Sequence, residues 1–104
     1  MKEELKNILL RHDGEGRAIT GRELADIFGH KDDRRVRLAI RDLIADRVPV
    51  ASSSKGYFIV TTRQEAEQYA QSIRSRLIED AIRRRDFRRA ADQWLTPAVQ
   101  GELL

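Results

Sequence analysis

The chain has no cysteine, so neither a disulfide framework nor a thiolate zinc site is open to it. Histidine occurs only at His12 and His30, and neither stands beside the other or beside a helical pair of carboxylates. Both therefore read as surface residues rather than metal ligands. The few glycines do not form a phosphate cradle, because Gly14-Glu15-Gly16 and Gly29 lack the Lys-Ser/Thr or the strand-turn-helix setting of a nucleotide site. No run approaches the ~20 apolar residues of a membrane span. The opening Met1-Lys2-Glu3-Glu4-Leu5-Lys6 is too charged for a signal peptide. Carboxylates are plentiful but sit among arginines on amphipathic segments, where ion pairing is their ordinary use. These absences lead us to expect a cytoplasmic protein that is not an enzyme, with no cofactor, no metal, no membrane partner and no small-molecule substrate.

What the chain has in quantity is arginine. Sixteen of its 20 basic residues are arginine, and the pI is near 9.7 although the formal net charge is only +3. Arginine meets phosphates and guanine edges with two parallel hydrogen bonds, whereas lysine offers a point charge. A GC-rich genome also raises arginine content, but it does not place arginines on one side of a helix. The length of 104 residues fits one small domain with an appendage. That is enough for a three-helix core with a hairpin and too little for a large enclosed active site.

The pattern centres on residues 18 to 60. Val36, Ala39, Ile40 and Leu43 recur at helical spacing and define a buried side. At 100° per residue, Arg34, Leu38, Arg41 and Ala45 fall opposite them, with Arg37 on the shoulder. Asp32 and Asp33 gather at the helix start, where the macrodipole favours negative charge. The outward middle is left to arginine. Upstream, Thr20 and Glu23 form a capping box, Leu24, Ile27 and Phe28 give an apolar stripe, and Gly29 suits the left-handed residue that closes a helix. Residues 2 to 12 form an earlier helix with Leu5, Ile8 and Leu9 inward, ended by Asp13-Gly14-Glu15-Gly16. Downstream, Val48-Pro49-Val50-Ala51-Ser52 and Tyr57-Phe58-Ile59-Val60 flank Ser53-Ser54-Lys55-Gly56, which predicts a hairpin with a four-residue loop.

The order Thr20-Gly21-Arg22-Glu23-Leu24-Ala25, Gly29, Val36, Ile40, Leu43, Pro49-Val50, Ser53-Ser54, Gly56-Tyr57 resembles the winged helix-turn-helix domain that begins biotin-operon repressors. It is similar also to stand-alone winged-helix regulators of bacteria and their phages. The resemblance covers about half the chain, and no biotin-ligase catalytic domain follows it, so biotin dependence does not carry over. It implies that Arg17-Ala18-Ile19 pairs with the wing as a third strand. It also implies a sequence-specific regulator of transcription or replication on double-stranded DNA, associated with a phage or mobile element. The expected DNA-binding set is Arg22, Arg34, Arg35, Arg37, Leu38, Arg41, Ser53, Ser54 and Lys55. Arg34, Arg37 and Arg41 would read guanine edges, Leu38 a thymine methyl, and Arg22, Lys55 and the serines the phosphates. Gly56 would let the backbone approach a phosphate closely.

A Thr62/Glu65 capping box opens the last segment, and Arg63 to Leu95 contains neither Gly nor Pro. A helix of that length would be roughly 50 Å long, more than a small head can cover. Ala66, Ala70, Ile73, Leu77 and Ala81, then Phe87, Ala91 and Trp94, approximate the alternating three- and four-residue steps of a coiled-coil seam, so these first five are expected to form a homodimer interface. Packing back onto its own head is the alternative. The step breaks at Arg83-Arg84-Arg85-Asp86, where the seam shifts or Asp86 caps a second helix, and Thr96-Pro97 stops the helix or starts a short new one. The seven arginines against three acids between Arg74 and Arg89 form either the solvated outside of the coil or a second phosphate surface. The expected fold is mainly α with a small β-hairpin. It divides into a winged helix-turn-helix head over 1–61, a helical dimerisation arm over 62–95 and a flexible or docking tail over 96–104. The competing function is a protein-binding winged helix that docks on a host or replication complex through Leu38, Phe87 and Trp94.

Overall fold

A computed structural model describes the backbone of residues 1–103 and the side chains of residues 1–95. The fold is mainly helical with one two-stranded antiparallel hairpin. Its elements are α1 (Lys2–Leu9), a 3-10 turn (Glu15–Arg17), α2 (Gly21–Ile27), α3 (Arg34–Ala45), β1 (Val50–Ser53), β2 (Gly56–Ile59) and α4 (Arg63–Leu103). Two compact units divide the chain, Met1–Tyr69 and Ala70–Leu104.

In the first unit, Leu5 and Leu9 of α1, Leu24 and Ala25 of α2, and Val36, Ala39, Ile40 and Leu43 of α3 form one buried cluster with Ile19, Val50 and Ile59. Ile8, Phe28, Val48 and Tyr57 pack against it half-buried. The stripe expected on α2 is turned: Ala25 is buried and Ile27 is 56% exposed. Residues 24, 25 and 28 lie within one 100° arc of a helix, and Ile27 falls outside it. Ala51 and Phe58 are buried as well and point from the opposite face of the hairpin, so neither face is open there.

The capping box at α2 is present in both directions: Glu23 N donates to Thr20 Oγ1 and Thr20 N to Glu23 Oε1, each at 3.1 Å. Both α2 and α3 end in the same six-to-one closure. His30 N donates to Ala25 O behind Gly29, and Val48 N to Leu43 O behind Arg47, each at 2.9 Å. The left-handed residue is Gly29 (φ 73°) in the first case and Arg47 (φ 70°) in the second. An ion pair ties α1 to the end of α3, Lys2 Nζ to Asp46 Oδ2 at 2.6 Å, and this bond with the Asp46 charge raises the Lys2 pKa.

Several expectations change. The first helix ends at Leu9 rather than at residue 12, because residues 12 to 14 are drawn to β2: Ile59 N donates to His12 O and Gly14 N to Ile59 O. The expected third strand shrinks to one residue. Ile19 exchanges both backbone hydrogen bonds with Tyr57, at 2.9 and 2.7 Å, while Arg17 closes the 3-10 turn. The hairpin turns on two residues, Ser54 and Lys55, not four, since Ser53 and Gly56 pair as the last rung. Gly56 has φ 125°, and a Cβ there would stand 2.5 Å from Ile19 O. Its close approach is thus to the chain's own backbone on that side, not to a phosphate.

At the start of α4, Thr62 Oγ1 accepts from Glu65 N at 3.1 Å, which is half of the expected box. The other half is redirected: the Glu65 carboxylate accepts from Thr61 N at 2.8 Å, Thr61 Oγ1 at 3.0 Å and Glu15 N at 2.9 Å. These hydrogen bonds, led by those from the Thr61 and Glu15 amides, hold the Glu65 pKa below the usual carboxylate range. From Arg63 onward α4 is one helix, without a break at Arg83 to Asp86 or a stop at Thr96-Pro97. Asp86 starts no second helix and accepts instead from Arg85 Nε at 3.2 Å, and nothing but a change of side-chain charge occurs at this point, which leaves the backbone ladder intact. Docking of the tail through Val99, Leu103 and Leu104 concerns side chains outside the described residues.

Candidate nucleic-acid interface

The 12 residues of α3 separate two chemistries. Its inward side is wholly aliphatic and sealed in the core. Its outward side gathers Arg34, Arg37, Leu38 and Arg41 around one open surface hollow. This follows from spacing: residues 34, 37, 38 and 41 are neighbours across two turns of a helix. Leu38 is 48% exposed at the middle of the group.

The arginines are not equivalent. Arg37 Nε lies 3.4 Å from Asp33 Oδ1, one turn earlier. Among the described residues, Arg34 and Arg41 form no ion pair. Asp32 accepts the Arg34 backbone amide at 3.0 Å and so closes the first turn without engaging the guanidinium. Arg35, expected in the same set, is exposed but does not line the hollow.

Arg22 was expected to hold a phosphate, and part of its hydrogen-bonding capacity is already used. Its Nη1 donates to Lys31 O at 3.0 Å and its Nε lies 3.5 Å from Asp26 Oδ1. It clamps the turn between α2 and α3 across nine residues, so its first role is internal. On the hairpin, Ser53 Oγ accepts from the Lys55 amide at 3.1 Å, which shapes the turn, while Ser54 and Lys55 are exposed.

One neighbour was not anticipated. Tyr57 is half-buried where Gly21, Asp33 and Arg37 converge: a Cβ on Gly21 would lie 2.9 Å from Asp33 Oδ2 and 3.3 Å from Tyr57 Cε2. Burial, then the Asp33 charge, raises the Tyr57 pKa, and Arg37 opposes the rise. A tyrosine opening a strand signals sheet packing and gives no hint that a helix N-terminus will stand over it. Gly21 was legible only as part of the capping motif.

Of the expected dimerisation residues, Ala66 is half-buried in the first unit. In the second unit Ala70, Ile73, Leu77 and Ala81 are all exposed, Leu77 by 64%, as are Phe87 by 70% and Trp94 by 81%. No group of three or more His, Asp or Glu among the described residues is placed to hold a metal ion, and no helix among them is long and apolar enough to cross a membrane.

Compared with known proteins, the chain matches no family model, no curated protein and no solved structure.

Proposed function

We propose that this chain is a dimeric, sequence-specific double-stranded-DNA-binding regulator of transcription or replication, acting in the cytoplasm of a bacterium, in association with a phage or mobile element. In this reading the first unit is a winged helix-turn-helix whose α3 enters the major groove. The observation that carries it is the outward side of α3: Arg34 and Arg41, without ion pairs among the described residues, flank exposed Leu38 on a helix whose other side is anchored in the core. A rigid helix with unpaired guanidiniums at a seven-residue spacing presents bidentate donors to guanine edges one helical face apart, and an apolar centre for a thymine methyl. Arg37 joins them by exchanging Asp33 for a base or phosphate. Ser54 and Lys55 at the hairpin tip supply phosphate contacts, which fix register without carrying sequence information.

A second reading, a protein-docking domain, is favoured by a different observation. Ile27 and Ile44 are exposed by 56% and 44% in addition to Leu38. The two readings separate by selection. A randomised duplex pool passed over the protein, followed by sequencing of what is retained, yields an enriched motif if α3 reads bases. Retention without a motif, or none, rejects the sequence-specific reading.

A further inference from the structure

α4 carries a polar pair inside its apolar seam. Alternating four- and three-residue steps from Ala70 run through Ile73, Leu77, Asp80, Arg84, Phe87, Ala91 and Trp94, so the step that seemed to break at Arg83 continues if Asp80 and Arg84 are core positions. Asp80 is engaged by its own Arg83, Oδ1 to Nη1 at 3.3 Å, whereas Arg84 has no ion pair among the described residues. A lone carboxylate and a lone guanidinium in a seam cost stability, and their usual return is to select one partner and one register.

We propose that residues 70–95 of α4 pair antiparallel with the same residues of a second copy, centred between Asp80 and Arg84. This deepens the dimer of the proposed function and rests on that reading for the choice of partner. Antiparallel seams match position i with a fixed complement. With the centre there, Asp80 meets Arg84 of the second copy twice over, once on each side of the two-fold axis. The same register sets Leu77 against Phe87, Ile73 against Ala91, and Ala70 against Trp94, so small residues face large ones in the last two layers. Sliding one copy by a heptad in either direction sets Asp80 and Arg84 against apolar residues, and sliding it by a single layer sets one of them against its own like charge. A parallel pair sets Asp80 on Asp80, Arg84 on Arg84 and Trp94 on Trp94. The flanking arginines do not favour the antiparallel direction: Arg83 meets Arg88 in the parallel pair, and in the antiparallel one Arg74 meets Arg88 and Arg83 meets Arg83 across the axis. They remain in water, where salt screens them. Exposure of Leu77 (64%), Phe87 (70%) and Trp94 (81%) leaves these side chains available for such a pairing.

The natural chain lacks cysteine, so introduced thiols are the only ones present. The test uses the full chain with Leu77→Cys, Phe87→Cys and the double substitution, each oxidised and run on a non-reducing gel. Within one chain positions 77 and 87 are about 15 Å apart along the helix, beyond disulfide reach. A crosslinked dimer from the double variant and from neither single variant supports the antiparallel register. Crosslinking of Leu77→Cys alone establishes a parallel pair and overturns it, and so does no crosslink from any variant. Light scattering gives an independent readout that does not depend on cysteine. The natural chain is expected at twice 12.0 kDa, Asp80→Arg and Arg84→Asp each at the single mass, and Asp80→Arg/Arg84→Asp again at twice. Single substitutions that leave the dimer intact, or a natural chain at the single mass, overturn the pairing. Binding of duplex DNA by a monomeric chain would overturn it without touching the assignment of α3.

Discussion

Asp33 Oδ1 stands 3.4 Å from Arg37 Nε, and this pair divides the outward side of α3 into one engaged guanidinium and two disengaged ones. In an exposed position such a pair is worth little, well under the gain from a bidentate base contact. Arg34→Ala and Arg41→Ala should each cost about 1 to 3 kcal/mol of affinity for the selected duplex and relax its sequence requirement at one position. Asp33→Ala removes a negative charge from the same face and should tighten binding. Fluorescence anisotropy titrations of the four proteins on one labelled duplex check the ranking, and equal affinities throughout would contradict it.

Gly56 is predicted to be the least replaceable glycine among those of the first unit. Its φ of 125° is foreign to side-chain-bearing residues, and a Cβ would stand 2.5 Å from Ile19 O and 2.9 Å from Thr20 N, both backbone atoms that cannot rotate away. Gly56→Ala should cost roughly 2 to 5 kcal/mol by urea denaturation, combining backbone strain with overpacking. Gly16→Ala, with nothing within 4 Å, is the control and should change stability by no more than about 0.5 kcal/mol.

The closures of α2 and α3 differ in one residue type and so make a matched pair. Arg47 holds φ 70° where glycine bears no penalty, with Arg47 N donating to Ile44 O at 2.9 Å. Arg47→Gly should raise stability by about 0.5 to 1 kcal/mol, read as a higher urea midpoint. Gly29→Ala, at φ 73°, should lower it by about 1 kcal/mol.

Acid should loosen the start of α4 and α2 together. Glu65 and Glu23 both have lowered pKa values, Glu65 mainly through the amides of Thr61 and Glu15, Glu23 mainly through the Thr20 amide. A carboxyl whose folded pKa lies below its unfolded one stabilises the fold above the unfolded value, about 4.3, and loses that contribution as pH falls through the folded value. The melting temperature should therefore fall between about pH 5 and pH 3. Glu65→Gln should lower it at neutral pH and flatten part of this dependence, and a melting temperature constant over that range would contradict the assignment.

The order of elements was legible because local signals agree with it. Thr20 and Glu23 make their capping box, Gly29 takes its left-handed φ, and Val36, Ala39, Ile40 and Leu43 are the buried side of α3. What escaped depends on partners distant in sequence. Residues 12 to 14 leave the helical pattern because β2 recruits them, and Glu65 leaves its own capping box for the amide of Glu15. Gly56 looked like a ligand contact because its crowding by Ile19 exists only once the third chain segment lies against the hairpin. On α3, periodicity identifies which arginines point outward. It does not show that Asp33 would engage Arg37, nor that Arg22 would be tied to Lys31 O. The α4 seam looked broken because Asp80 and Arg84 were judged by polarity alone.

The central claim is that α3 and the hairpin tip bind duplex DNA, and the salt dependence of that binding tests it most directly. Anisotropy titrations on the selected duplex across a salt series should give a log affinity that falls linearly with log salt, by about 0.9 for each phosphate neutralised. Lys55→Ala should make the slope shallower and weaken all duplexes alike. Affinity that is absent, or that stays flat as salt rises and is untouched by Lys55→Ala and Arg41→Ala, would contradict it.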